Sequence, residues 1–186
     1  MPFTLPMIDV NARWTGPLAC LDDDAAEAAG DAWSDVVATY VQTGQPDGLS
    51  DGGCMVTLRP LSAAEDDACE AAAGAPVPLA GFVYERMKRD GVDLADGEAV
   101  ARATAALPDC DRKALHDHDT RQRRLRWARV SRALVAADFV PEGEAPADAL
   151  ARVAGPMRGY VVQELAAHLD RLTILGAEGK APAGEQ

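Results

Sequence analysis

Apolar residues recur every three or four positions along most of this chain, the period of helices that bury one face. Between Asp31 and Thr43 the recurring set is Trp33, Val36, Val37, Tyr40 and Val41. The spacing predicts a helix there, stopped at Gly44, since glycine accepts the left-handed backbone that follows a last turn. Residues 44–53 are turn chemistry throughout. Cys54 to Arg59 is the best strand candidate, and Pro60 ends it. Ser62 followed by Glu65 fits a capping box, in which hydroxyl and carboxylate each satisfy a free amide at a helix start. That helix should reach about Ala73 and break over Gly74 to Pro78. Another is expected from Leu79 to Arg89 with Phe82, Val83 and Met87 facing inward, and a shorter one from Asp96 to Leu107. Cys110 to Asp119 reads as a polar connection.

The longest element should begin near Thr120, carry Leu125, Trp127, Val130, Leu134 and Val135 on its apolar side, and end before Pro141. After a linker at 141–147 come a short helix over Ala147 to Ala154 and a last helix. The last helix should hold Met157, Tyr160, Val161, Leu165, Leu169, Leu172 and Leu175 along one side. Residues 1–20 contain three prolines and no helical period, so an extended arm or one short strand around Met7–Val10 is expected. The predicted organisation is an arm (1–20), a helical domain with a short strand (21–140), C-terminal helices (147–176) and a mobile tail (177–186).

Composition agrees with a mainly α fold, a multi-helix domain with a small strand element near residues 54–59 and extended termini. Hydrophobic residues make up 48%, but aromatics only 5%, and alanine dominates. Alanine has the highest helix propensity and adds little to a sheet face. With 30 acidic against 18 basic residues the net charge is −12, a field that repels nucleic acid and anionic membrane. No run of about twenty apolar residues occurs, as a membrane-spanning helix would need. Cys20, Cys54, Cys69 and Cys110 are widely separated and form no Cys-x-x-Cys pair, so structural thiols are expected rather than a zinc site. The start of the chain has neither a basic segment nor a sustained apolar one, so a cytoplasm is expected rather than secretion.

Candidate chemistry is sparse. Cys110, His116 and His118, with Asp117 and Asp119 beside them, hold metal-ligand atoms, and His-x-His on an extended segment puts two nitrogens on one side. This is the basis for an alternative reading as a metal-dependent enzyme; against it stands a solvated connection or the first turn of the next helix. Ser34, Ser50, Ser62 and Ser131 lie in no nucleophile elbow, His168 reads as a helix-surface or boundary residue, and Gly52-Gly53 reads as a turn. No catalytic constellation emerges, so neither catalysis nor a cofactor is expected. Arg121, Arg123, Arg124, Arg126, Arg129 and Arg132 place six positive charges within twelve residues without one acid. That face is the expected partner-binding surface, paired with acids of a partner or of this chain itself, because arginine presents a planar fork of donors.

Two stretches carry a resemblance. Ala32-Trp33 through Tyr40, Thr43-Gly44, and the turn into Val56-Thr57-Leu58-Arg59-Pro60-Leu61-Ser62-Ala-Ala-Glu65 resemble the opening of tail assembly proteins from long-tailed phages, where a short strand ending in Arg-Pro-Leu leads into a capped helix. Arg126 to Lys180 is similar to the carboxyl half of phage tail assembly chaperones: an arginine-bearing helix, a short helix at Ala149-Leu150, an amphipathic helix from Val161, and a Gly/Lys tail. The resemblance spans about half of the chain and leaves residues 66–119 outside it. It implies a non-catalytic morphogenesis factor that binds tail tube or tape measure subunits, with no nucleic acid, membrane or cofactor involved. A structural virion component, such as a head–tail connector, tail terminator or capsid-associated protein, is the alternative. No individual binding residue is carried over from the family.

Overall fold

A computed structural model describes residues 11–178, with side chains through Thr173. Helices dominate. In chain order they are α1 (Asp23–Ala29), α2 (Trp33–Thr43), α3 (Ala63–Ala73), α4 (Pro78–Arg89), α5 (Gly97–Ala105), α6 (Asp109–Ala133), α7 (Pro146–Arg152) and α8 (Gly155–Glu178). Three short strands, β1 (Trp14–Pro17), β2 (Met55–Leu58) and β3 (Leu134–Ala137), form an antiparallel sheet with β2 in the centre. The mainly α class, with one small strand element at residues 54–59, is what the sequence led us to expect. The suggested strand at Met7–Val10 and most of the tail lie outside the described residues.

Local chemistry accounts for the element ends. Gly44 closes α2 at φ +73°, its amide donating to the Tyr40 carbonyl at 2.7 Å. Asp22 caps α1 by accepting from the Ala25 amide, and it also takes the Ser50 amide at 2.8 Å and the Ser50 hydroxyl at 2.6 Å. The capping box forms: Glu65 donates its amide to the Ser62 hydroxyl at 3.3 Å, while its carboxylate accepts the Ser62 amide at 2.9 Å. Arg59 adds a two-pronged contact to the same carboxylate, at 2.5 and 2.9 Å.

Two stretches depart from the sequence reading. The polar connection expected over Cys110 to Asp119 is helix, since α6 starts at Asp109. Its charges pair along the helix, Lys113 with Asp117 at 2.5 Å and Arg123 with Asp119 at 2.7 Å, and its inner face is narrow: Asp111, Ala114 and Leu115. So polar a helix shows no strong period. At its other end α6 stops at Ala133, and Leu134–Ala137 becomes strand instead of continuing as helix toward Pro141. Here an open strand edge decides: Arg59 donates its amide to the Ala133 carbonyl at 3.0 Å, and Asp138 closes the far end by donating its amide to Met55 and accepting the Met55 amide on its carboxylate. Unpaired ladder groups on β2 outweigh the helix propensity of Leu-Val-Ala-Ala.

The chain forms two compact units, residues 1–68 with 126–186, and residues 69–125. In the first, the sheet and helices α2, α7 and α8 bury Leu18, Val56, Leu58, Val130, Leu150, Val161 and Leu165. In the second, Ala80, Val83 and Met87 of α4 pack with Leu115 of α6, joined by Val92, Val100 and Leu107. Asp111, itself buried, accepts a short charged hydrogen bond from Arg86 there. Four residues expected on apolar faces are exposed: Phe82 of α4 at 73%, Tyr160 and Met157 of α8 at 63% and 38%, and Val135, now in β3, at 43%.

The capping box makes a testable link to pH. Hydrogen bonds from Arg59, then those from Ser62, lower the Glu65 pKa from 4.5 to about 2. A pKa depressed on folding contributes stability that is fully present above about pH 4.5 and lost as pH falls toward 2. Urea unfolding across that window should show a smaller loss for Glu65→Gln than for the natural chain; equal slopes would remove this residue from the acid response.

Candidate functional site

The six arginines of the α6 face divide by what holds them. Arg121 pairs with Glu70 and donates to the Gly74 carbonyl at 2.9 Å, tying the second unit's part of α6 to the end of α3. Arg129 grips Asp66 through two bonds of 2.7 and 3.0 Å, and Arg132 donates to the Glu65 carbonyl at 3.2 Å, so the first unit repeats the arrangement at the start of α3. Arg123 meets only Asp119 on its own helix, and both side chains are mostly exposed, so this pair stabilises little. Arg124 and Arg126 are exposed and have no ion-pair partner among the described residues. Beside them, the Arg158 guanidinium stands 5.9 Å from the centre of the Trp127 ring.

Cys110, His116 and His118 do not converge. Because α6 runs through all three, each residue turns the side-chain direction by about 100°, which puts His116 and His118 on nearly opposite faces. His116 is exposed, Cys110 is exposed, and His118 is set edge-on to the Tyr84 ring at 6.1 Å. Among the described residues no group of three His, Cys, Asp or Glu side chains is placed to hold a metal ion. The extended segment assumed for His-x-His is absent, and with it the geometry of that alternative.

The most developed polar arrangement lies in the first unit, on residues that sequence reasoning did not bring together. Glu164 of α8, buried, accepts the Ala19 amide at 2.7 Å and the Cys20 amide at 2.8 Å, satisfying two donors of the 3-10 turn at Ala19–Leu21. One turn further along α8, His168 is fully buried rather than at the helix surface. Trp14 stacks on its ring at 4.1 Å and 21°, and Tyr40 meets it edge-on at 4.8 Å. Its Nε2 is 3.8 Å from Glu164, beyond hydrogen-bond length, and neither ring nitrogen has a hydrogen-bond partner among the described residues. Arg171 follows, with its guanidinium 5.6 Å from the Trp14 ring. It fills the space over Gly44, where an added Cβ would come within 1.8 Å of Nη1. Tyr40 donates its hydroxyl to the Pro17 carbonyl at 2.6 Å.

Electrostatics define what this cluster can do. Burial pushes the Glu164 pKa up, but the neighbouring His168 ring and the hydrogen bonds from Cys20 and Ala19 outweigh it, and the net shift is downward, so the group is a carboxylate at neutral pH. Burial, reinforced by the Glu164 charge, drives the Cys20 thiol far above its usual range. Burial and Glu164 do the same to the Tyr40 phenol. Cys20 and Tyr40 therefore keep their protons and act as donors, and a protonated thiol is a poor nucleophile. The arrangement ties β1 and its following turn to α2 and α8. A signal for it exists in the sequence: Glu164, His168 and Arg171 stand at i, i+4 and i+7, one line along a helix. Nothing in sequence marks Trp14 as their partner.

A separate cleft of about 270 Å³ in the same unit lies among Leu61, Ser62, Asp66, Arg129, Asp170 and Thr173, and of its three charged residues Asp66 and Arg129 already pair with each other. No family pattern, curated protein or solved structure matches this chain. No helix among the described residues is long and apolar enough to cross a membrane.

Two substitutions test the cluster. Glu164→Gln removes a charge and turns an amide donor toward backbone amides, so chemical denaturation should show a loss of about 2 kcal/mol or more. Gly44→Ala forces a side chain onto a left-handed backbone and into Arg171, at a cost of roughly 1–2 kcal/mol or above. Unchanged stability in either variant would contradict the packing described.

Proposed function

We propose that this chain is a non-catalytic protein-binding factor, and more specifically a phage morphogenesis protein that engages tail tube or tape measure subunits while a tail is assembled. The observation that carries the binding reading is the division of the arginine face. In a chain of net charge −12, Arg124 and Arg126 stand exposed without an ionic partner, next to the half-buried Trp127 and the Arg158 above it. Arginine and tryptophan are the side chains that most often dominate protein interfaces, and an acidic, apolar segment is their natural complement. Arg121, Arg129 and Arg132 serve the fold and Arg123 pairs with Asp119 on its own helix, which narrows the binding surface from six residues to Arg124 and Arg126 with their neighbours. The specific assignment to tail assembly rests on the resemblance of residues 32–65 and 126–180.

The test is co-purification with tail tube and tape measure subunits from producing cells, alongside mass spectrometry of purified particles. Arg124→Glu combined with Arg126→Glu should weaken capture of the subunit by about tenfold or more, with an unchanged melting temperature. Capture undiminished by that variant would overturn the surface. A stoichiometric presence in finished particles would replace the transient chaperone with a structural virion component.

A further inference from the structure

Because a helix turns about 100° per residue, α4 groups Leu79, Phe82, Glu85, Arg86 and Arg89 on one side. The opposite side carries Ala80, Val83 and Met87, all buried at 2% exposure or less. On the outer side Phe82 is 73% exposed and Leu79 46%, and the neighbouring Gly81 has nothing within 4 Å of where a Cβ would sit. Glu85 and Arg89 are exposed as well. They stand one turn apart on the helix, yet neither has an ion-pair partner among the described residues. Arg86 differs, because the buried Asp111 of α6 holds it. All of these residues belong to the unit of residues 69–125. The face therefore begins apolar and ends in one acid and one base, both unpaired. An exposed Phe with an exposed Leu beside it is costly to leave in water.

We propose that this face docks on the same face of a second copy, the two α4 helices running antiparallel about a two-fold axis that passes between Glu85 and Arg86. Turning one helix end for end sets Phe82 of each copy opposite Arg89 of the other. The guanidinium then lies over the ring, an attraction that grows as water is excluded. Glu85, one turn along from Phe82, is within reach of the same guanidinium. Leu79 falls beside the Gly91-Val92 turn of the second copy, where Gly91 again has nothing within 4 Å of a Cβ position. The charge argument is local to the face. Each copy supplies one unpaired acid and one unpaired base, and reversing one helix against its equal pairs both at once. A parallel arrangement would set Glu85 against Glu85 and Arg89 against Arg89, and a partner of a single charge would answer one residue and oppose the other. A two-fold contact uses the same patch on both copies, so it closes at a dimer. Three helical turns a side make a small interface, and the association is weak and reversible. It uses neither Arg124 nor Arg126, and it stands or falls independently of the function proposed above.

Sedimentation equilibrium up to millimolar concentration tests it, on the natural chain and on Phe82→Lys, Glu85→Arg and Arg89→Glu, each checked for an unchanged melting temperature. The natural chain should rise with concentration from the monomer mass to the dimer mass and stop there. Phe82→Lys removes the ring and opposes Arg89, so its association constant should fall by about tenfold or more. Glu85→Arg alone and Arg89→Glu alone set like charges across the axis and should weaken self-association to a similar degree. Mixed in equal amounts, those two variants should pair with one another, because each then meets the opposite charge at both positions. A natural chain that stays monomeric, mass that climbs past a dimer, association that survives Phe82→Lys, or charge variants that fail to pair when mixed would each overturn the proposal.

Discussion

The carboxylate of Glu164 holds together parts of the chain that share no sequence proximity. Its two oxygens take the amides of Ala19 and Cys20, 145 and 144 residues away. Two charge-assisted bonds in a buried setting are worth more than their surface equivalents, but only while the geometry satisfies the charge. Around it the packing follows: the 3-10 turn is pinned to α8, β1 is thereby placed beside β2, and Trp14 is set against His168. Tyr40 supplies the third wall and spends its hydroxyl on Pro17 at the open edge of β1. Proline there has no amide to offer a further strand, and with its carbonyl taken, that end of the edge is poorly suited to pairing with another sheet.

A second set of ties runs between α3 and α6 and follows the same logic at lower burial. Asp66 and Glu70 on α3 meet Arg129 and Arg121 on α6, a spacing of one turn answered by two. Acids on one helix and arginines on the other make the pair specific, since neither could pair with its like. The consequence for function is a division of labour along α6. Arginines turned toward α3 are satisfied, and those turned away, Arg124 and Arg126, face solvent. Binding capacity therefore sits on rigid helices whose opposite faces are anchored, which limits the entropy lost when a partner docks.

Much of this was readable in advance wherever a local rule suffices. The left-handed stop at Gly44, the Ser62–Glu65 box, the strand at residues 55–58 and the restart at Gly155-Pro156 each depend on a few adjacent residues, and each is present. Periodicity failed where charge or competition intervenes. The first half of α6 is too polar to show a stripe, and its last turn yields to strand because β2 needs a second neighbour. The inward assignments of Phe82 and Tyr160 failed for a simpler reason. A helical stripe a residue too wide looks like core in sequence, and only packing shows which edge of it is left uncovered.

What the sequence determined by itself is therefore the class of the molecule and most of its punctuation: mainly helical, strongly acidic, with one short strand region and one arginine-bearing helix. Those properties come from composition and from interactions spanning a few residues. Tertiary structure alone decided that His116 and His118 point apart, that Glu164 reaches across the chain to Ala19 and Cys20, and that four of six arginines are engaged within the protein. Each of these depends on which distant surfaces meet, and a buried charge or an unpaired ladder edge settles that question by the cost of leaving it unsatisfied.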